Sequence, residues 1–545
     1  MKITLGQIRI FTNNPEKNYN QILNVIESNT ESDLIVFPQL ALSGMYVGDA
    51  LLKKEVQDEY LRFNELIQEI KSDAVIVFGN IHREEDILYN AAFVSYKGEW
   101  LCDPIIKQNL SPYETNYFGT KESDDGFEMN EEDILISFNE PINKQFTIVL
   151  GQNPFMNEPN NNKKHRGVYV NPVGIQNTGN EVFTYDGGSF VSDGEVAMRA
   201  LDNFEPSAKT FDFNNLIPNE IKISHKMYQA ILHALRYFDE ETLAYKPKWL
   251  IGVSGGLDSS VSVAMLVDAF GKDRVLGVNM PSEFTRDITK NNASHLSEKL
   301  GFPMLTIPIG DMAKSTVESF NQVGYETIEG LSYENIQARL RGHTLMTLSS
   351  LENGVVVNNG NKIEVAFGYA TLYGDAIGAL AILGDLNKLE VGALADSFND
   401  IHGEEMIPKN LIPTLNETSI DWDFAPSAEL AQDQFDPMKW AYHDYLVDYL
   451  LNNSVESYMS KYLDGSIVET LPGKYLEAYN LQEPKAFIDD LEWVLRTMNL
   501  AVYKRVQAPP IVRVSKRGFG NETQAIRMVS KEYQELKSKI LNSKK

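Results

Sequence analysis

The chain has one cysteine, Cys102, in 545 residues. A single thiol excludes an intrachain disulfide and any metal site built from several thiolates. Positive charge is scarce too: 49 lysines and arginines stand against 76 aspartates and glutamates, a formal charge of -27. Such a chain repels nucleic-acid phosphate and anionic lipid, so neither nucleic acid nor a membrane is expected as a partner. No apolar run approaches the roughly 20 residues that span a bilayer. Residues 1–11 alternate apolar and polar side chains like a strand, without the basic start and apolar core of a secretory signal. These absences predict a cytoplasmic protein.

What is present, 43% hydrophobic and 23% charged residues, is the composition of an ordinary globular protein. The length predicts two or three domains. Residues 3–10, 34–37, 74–78, 91–95, 146–150 and 168–171 read as strands, and 18–28 and 51–71 as helices, an alternation expected of an α/β fold. Residues 124–133 are acidic and 157–164 rich in Asn and Lys; both read as exposed loops. Residues 206–220 read as a linker between a domain at 1–205 and another at 221–545. The second opens with a helix at 222–241 and a buried strand at 249–253, after which strand and helix signals alternate as in a doubly wound parallel sheet. The C-terminal residues 530–545 read as a charged helix.

The strongest local signal is Gly252-Val253-Ser254-Gly255-Gly256-Leu257-Asp258-Ser259-Ser260, set between a strand and a helix predicted at 261–270. Glycines let backbone N–H groups close around an anion, and the helix adds its positive end. Ser254, Ser259 and Ser260 offer hydroxyls, and Asp258 can hold a magnesium ion that accompanies phosphates. The dinucleotide and Walker spacings are both absent.

The loop resembles the pyrophosphate loop of the ATP pyrophosphatases, of the adenine nucleotide alpha hydrolase-like fold. Further motifs are Met280-Pro281-Ser282; Glu334-Asn335-Ile336-Gln337-Ala338-Arg339; Gly360-Asn361-Lys362-Ile363-Glu364; Tyr369-Ala370-Thr371-Leu372-Tyr373-Gly374-Asp375; Lys388; Pro426-Ser427-Ala428-Glu429-Leu430; and Tyr503-Lys504-Arg505-Val506-Gln507-Ala508-Pro509-Pro510. With these and the loop, the chain resembles the two-domain, glutamine-dependent NAD synthetases over almost its whole length. The resemblance implies that ATP lies on Gly252, Val253, Ser254, Gly255, Gly256, Leu257, Asp258, Ser259, Met280, Arg339, Asn359, Lys388 and Ser427. It implies that deamido-NAD meets Asn335, Glu364, Asp375 and Lys504. Asp258 and Glu364 would bind Mg2+, and Lys388 would neutralise ATP phosphates; these three form the expected catalytic set.

The N-terminal half resembles nitrilase-type glutaminase domains, which use Glu, Lys and Cys. Here Gln39 stands at the glutamate position, Lys107 matches the lysine, and Gly151 stands where the nucleophilic cysteine belongs. An amide cannot take a proton from a thiol, and no acyl-enzyme forms without a thiolate. The span between Gly151 and Val168 is also short of the strand and helix that the family inserts. The expected architecture is therefore a trimmed nitrilase-like α/β sandwich joined to a doubly wound parallel sheet. In the second half, Asn359 replaces a threonine usual in the family, and Phe519-Gly520-Asn521-Glu522-Thr523-Gln524 lacks its basic residues.

The implied reaction joins deamido-NAD and ammonia with ATP as co-substrate, giving NAD, AMP and pyrophosphate through an acyl-adenylate. Two alternatives stay open: an ATP-dependent ligase amidating another carboxylate, and a silent partner of an active synthetase. The resemblance implies a homodimer through the synthetase domains, or a larger homo-oligomer through the nitrilase-like ones.

Overall fold

The computed structural model describes residues 1–545 apart from 139, 142–144, 158–164, 196–197, 219–223, 244, 428, 432–435, 521–529 and 544–545. The chain divides into two compact units, Met1–Thr178 with Val182–Tyr237, and Gly179–Glu181 with Phe238–Lys545.

In the first unit two sheets share a core. One runs, in neighbour order, Ser207–Asp212, Lys2–Gln7, Leu34–Val36, Val75–Glu84, Ile87–Tyr96 and Glu99–Trp100. The other runs Met198–Ala200, Phe190–Asp193, Arg166–Val170, Phe146–Leu150, Glu132–Phe138 and Gly126–Met129. Side chains alternate faces along a strand, and the sequence uses both parities. Ile3, Leu5, Val36 and Val77 pack between the sheets against Ile134, Phe146, Ile148 and Val168. Ile35, Ile76 and Phe78 meet Ile22, Ile26, Phe63 and Ile67 of the helices Pro15–Ser28 and Lys54–Gln68. Each such buried side chain contributes roughly 1.5–3 kcal/mol. The layers are therefore helix, sheet, sheet.

Three local expectations change. The acidic residues 124–133 are not a loop: Gly126–Met129 and Glu132–Phe138 form an antiparallel hairpin whose Phe127 and Ile134 enter the core while Glu128 and Asp133 stay in solvent. Residues 206–220 are not a plain linker, because Ser207–Asp212 pairs antiparallel with Lys2–Gln7 as the sheet edge. Its Thr210 meets Thr4 at 2.6 Å, and polar side chains suit a strand with one solvated flank. The helix expected over 51–71 is a short turn, Gly48–Leu52, then Lys54–Gln68, separated by extended Lys53. Residues 158–164 of the Asn- and Lys-rich stretch lie outside the described residues.

The second unit is built on a parallel sheet in the order Ile511–Arg513, Leu380–Ala381, Gly354–Asn358, Lys248–Gly252, Val275–Asn279, Met304–Thr306. Every neighbouring pair among these is parallel. Chain order runs outward in both directions from Lys248–Gly252. The switch point of a doubly wound sheet therefore falls between that strand and Gly354–Asn358, where such sheets open a crevice at their carboxyl ends. A helical layer packs separately through Leu446, Tyr458, Tyr462, Phe487, Leu491 and Tyr533. Among the described residues no helix is long and apolar enough to cross a membrane.

Candidate active site

The crevice at the switch point is a cavity of about 360 Å³. Its floor is the turn after Lys248–Gly252. Gly256 caps the helix Leu257–Phe270, which carries Asp258 in its first turn. Gly255 has φ +85, and a Cβ there would lie 2.0 Å from the Thr289 carbonyl oxygen, so the turn requires glycine. The serines do not all offer their hydroxyls to a ligand. Ser259 Oγ accepts from Ser254 N–H at 3.2 Å, and Ser260 Oγ donates to the Gly256 carbonyl at 2.8 Å, so these two knit the loop to its helix. Ser254 and Ser259 line the cavity.

Charged groups converge on this floor from three helix N-termini. Lys388, the first residue of the helix Lys388–His402, is 2% exposed, and its ammonium is paired with the Asp258 carboxylate. Glu364 is fixed by a reciprocal cap: Asn361 N–H donates to Glu364 Oε2 at 3.2 Å, while Asn361 Oδ1 accepts from the Ile363 and Glu364 N–H groups. Asn361 Nδ2 lies 3.5 Å from Asp258 Oδ1, linking the two carboxylate elements. Burial, and then the Asp258 charge, push the Glu364 carboxyl above its usual range. Burial opposes the charge on Lys388, but Asp258 and Glu364 hold its ammonium above its ordinary value. Asp436, unforeseen in the sequence, adds negative charge felt by both Glu364 and Lys388.

Carboxylates thus outnumber the ammonium at this end of the cavity. Among the described residues no group of three or more His, Cys, Asp or Glu could hold a metal by itself. Two hard oxygen donors facing a phosphate loop nevertheless fit Mg2+, which is ordinarily shared between one or two carboxylates, water and substrate phosphates.

Of the other expected contacts, Gly252, Val253, Gly256, Leu257, Met280, Asn359, Asp375, Ser427 and Lys504 line the cavity. Gly255 stands behind it, against Thr289. Asn359 donates from Nδ2 to the Gly252 carbonyl at 2.8 Å, bracing the adjacent strand ends. Lys504 donates to the Gly368 and Ala370 carbonyls at 2.7 Å each, and burial lowers its pKa. Burial raises that of Asp375, which accepts from Thr371 N–H at 2.5 Å. Asn335 and Arg339 are not brought into the cavity. Asn335 accepts from Thr371 Oγ1 at 2.7 Å, and Arg339, exposed, donates to the Leu372 carbonyl at 3.3 Å. The helix Leu331–Leu351 turns Arg341 inward instead, two residues on. Its Nε donates to the Met280 carbonyl at 3.2 Å, and burial pushes its pKa down to about 10. Residues 521–524 of the altered C-terminal motif lie outside the described residues.

In the first unit, Gln39, Lys107 and Gly151 form parts of one buried cluster. Gln39 N–H donates to the Gly151 carbonyl at 3.2 Å. Gln39 Oε1 accepts from Asn90 Nδ2 at 2.8 Å, and the same nitrogen reaches Glu114 Oε1 at 2.7 Å. Lys107 Nζ lies 2.9 Å from both Glu114 oxygens, with the two side chains 4% and 0% exposed. Burial opposes the Glu114 charge, but Lys107 holds its carboxyl below the usual range. Glu114 follows directly on the segment that carried the lysine match, yet its role was not legible there. A Cβ at Gly151 would stand 2.8 Å from Asn171 Oδ1 and 2.9 Å from the Tyr169 ring. Asn153 holds both neighbours, donating to Tyr169 Oη at 3.0 Å from Nδ2 and to Asn171 Oδ1 at 2.9 Å from N–H. A side chain added at Gly151 would therefore have to displace Asn171 or Tyr169.

Residues 229–472 match the NAD synthase family. The chain is 28% identical to a glutamine-dependent NAD(+) synthetase of Acinetobacter baylyi over 562 residues, covering 96% of this chain and 97% of that one. Its identity to the Xanthomonas campestris pv. campestris enzyme of the same name is also 28%, with 90% of each chain covered. Among solved structures, it resembles the ADP complex of the Acinetobacter baumannii glutamine-dependent NAD+ synthetase with 25% identity, a TM-score of 0.70, and 97% and 99% coverage. The Cytophaga hutchinsonii enzyme shares the fold with a TM-score of 0.78 at 15% identity, covering 99% of each chain. With a phosphate-type loop at the switch point of its second sheet and a helix-sheet-sheet unit before it, the chain has the two-domain architecture of the glutamine-dependent NAD synthetases, a nitrilase-like region followed by an NAD synthase domain.

Proposed function

We propose that the protein is an ammonia-dependent NAD synthetase of the cytoplasm whose nitrilase-like half, residues 1–205 by the sequence reading, no longer hydrolyses glutamine. The observation that carries this reading is the meeting of Asp258, Glu364 and Lys388 over the Gly252–Ser259 turn, in a cavity that also presents Asp375 and Lys504.

The nicotinate carboxylate of deamido-NAD attacks the α-phosphorus of ATP. The bond to the bridging β-phosphate oxygen breaks, and pyrophosphate leaves toward the loop. Ammonia then attacks the acyl carbon, loses a proton, and displaces AMP to leave the amide of NAD. Mg2+, when held by Asp258 and Glu364, supplies charge neutralisation at the leaving pyrophosphate. The chain itself contributes the Lys388 ammonium, loop N–H groups and a low-water cavity, so its part is placement and charge stabilisation rather than covalent chemistry. Asp375 and Lys504 orient the nicotinate end. Resemblance supports a homodimer through the synthetase domains.

The test is purified protein with deamido-NAD and MgATP, given either ammonium or glutamine. NAD should form with ammonium and stay at background with glutamine. A glutamine-driven rate matching the ammonium rate refutes the glutaminase half of the reading. Pyrophosphate release with another carboxylate but not deamido-NAD refutes the synthetase half.

A further inference from the structure

Lys388 owes its position to a feature outside the cavity. Asp444, fully buried, accepts from Lys388 N–H at 2.7 Å and from Ala441 N–H at 2.7 Å, one on each carboxylate oxygen. The two donors belong to the starts of two different helices, Lys388–His402 and Tyr442–Asn452. Asp444 therefore joins those starts through charge-assisted hydrogen bonds in a site without solvent. Burial pushes its carboxyl up to about 6, so at neutral pH it is ionised and able to accept both bonds.

Ala441 has φ 63 and ψ -52, a backbone state that L side chains avoid. A non-glycine residue persists there only when its surroundings over-determine it, and such positions cluster at functional sites. The turn at Ala441 swings the preceding Trp440 inward, where its ring centroid lies 5.0 Å from the Lys388 ammonium. One buried carboxylate thus holds the lysine's backbone and also holds the strained turn that lays an aromatic face on its ammonium. The Asp258 pair closes the far side.

We propose that Asp444 is a positioning residue for Lys388, acting through the Ala441 turn and Trp440, and that it keeps the ammonium aimed at the phosphate loop. This rests on the assignment of Lys388 to ATP phosphates. An asparagine at 444 keeps one acceptor but sets an amide against the other N–H, so one of the two ties is lost. Misplacement of a charged group by about 1 Å can lower a rate by roughly a hundredfold.

The test uses the full-length chain with Asp444→Asn, and with Asp444→Asn combined with Ala441→Gly, each compared with wild type at matched folded fraction. Two quantities are read: kcat and KM for NAD formation from ammonium, and the acylation rate of Lys388 by an amine-reactive reagent, followed by mass spectrometry. Asp444→Asn should lower kcat by about 10- to 100-fold with KM for deamido-NAD changed less than twofold, and should speed acylation of Lys388. Glycine accepts φ 63 without a tether, so the double variant should recover part of the lost kcat and bring Lys388 acylation part of the way back to the wild-type rate. The inference is overturned by an Asp444→Asn chain that matches wild type in Lys388 acylation. It is equally overturned by a double variant that regains thermal stability while both readouts stay unrecovered. Acylation needs no turnover, so a wild-type chain that forms no NAD defeats the synthetase reading while leaving this one decidable.

Discussion

The two buried polar clusters differ in what their charges face. In the first unit, Lys107 is matched to Glu114, Gln39 to Asn90, and the space beside Gly151 is filled by Tyr169 and Asn171. In the second, Asp258, Glu364, Asp436 and Lys388 border an open cavity and carry more negative than positive charge. In the first cluster the opposite charges are matched, although Gln39 Nε2 and Asn90 Oδ1 stay buried without a partner among the described residues; in the second the charged groups border a cavity that a ligand can fill.

The contrast can be broken most forcefully at the open cluster. Lys388→Met removes the ammonium paired with Asp258 and should lower kcat for NAD formation by about 10²- to 10³-fold, the usual loss for a charge that stabilises a transition state. Steady-state assay with ammonium checks it, and a loss below fivefold contradicts the phosphate role.

Gly255→Ala comes next. The positive φ and the Thr289 carbonyl at 2.0 Å both oppose a methyl group, so the loop must shift. Expected are a stability loss of about 2–4 kcal/mol in denaturant titration and a raised KM for ATP.

The closed cluster makes the opposite prediction. Gly151→Cys supplies a sulfur but meets Asn171 and Tyr169, so it should destabilise the chain by roughly 1–3 kcal/mol and confer no glutamine-dependent NAD formation. A glutaminase rate from this single change would show that the site is open after all.

The expectation that bears least on the comparison concerns Cys102. Burial, then Asp124 and Asp103, push its thiol up to about 11 from 9.0. The shift disfavours thiolate, so at pH 8 alkylation by iodoacetamide should run about a hundredfold slower than for a free cysteine, and it should accelerate as pH rises toward 11.

Much of this was readable beforehand, for identifiable reasons. The short, mainly apolar run at 146–150 marked a strand that the structure places at Phe146–Leu150, buried throughout. The glycine-rich run after 249–253 marked the turn, because close backbone approach restricts residue choice locally. The Asn361 and Glu364 pair forms a cap that the sequence reading did not name, although its signature is local, two residues three apart at a helix start. Arg339 was named and Arg341 went unnoticed because a motif names residues but not which face of Leu331–Leu351 looks inward. The acidic hairpin at 124–133 was misread since charge on one face hid Phe127 and Ile134 on the other.

By itself the sequence determined the α/β layering, the glycine-rich turn after the strand Lys248–Gly252 and the absence of a side chain at Gly151, since each depends on residues adjacent in the chain. Tertiary structure alone decided that Tyr169 and Asn171 close the space at Gly151, that Arg341 and Asp436 border the cavity, and that Asp444 supports Lys388 from 56 residues away. Those facts depend on distances between segments far apart in sequence, set by sheet order and helix packing, and no local pattern encodes them.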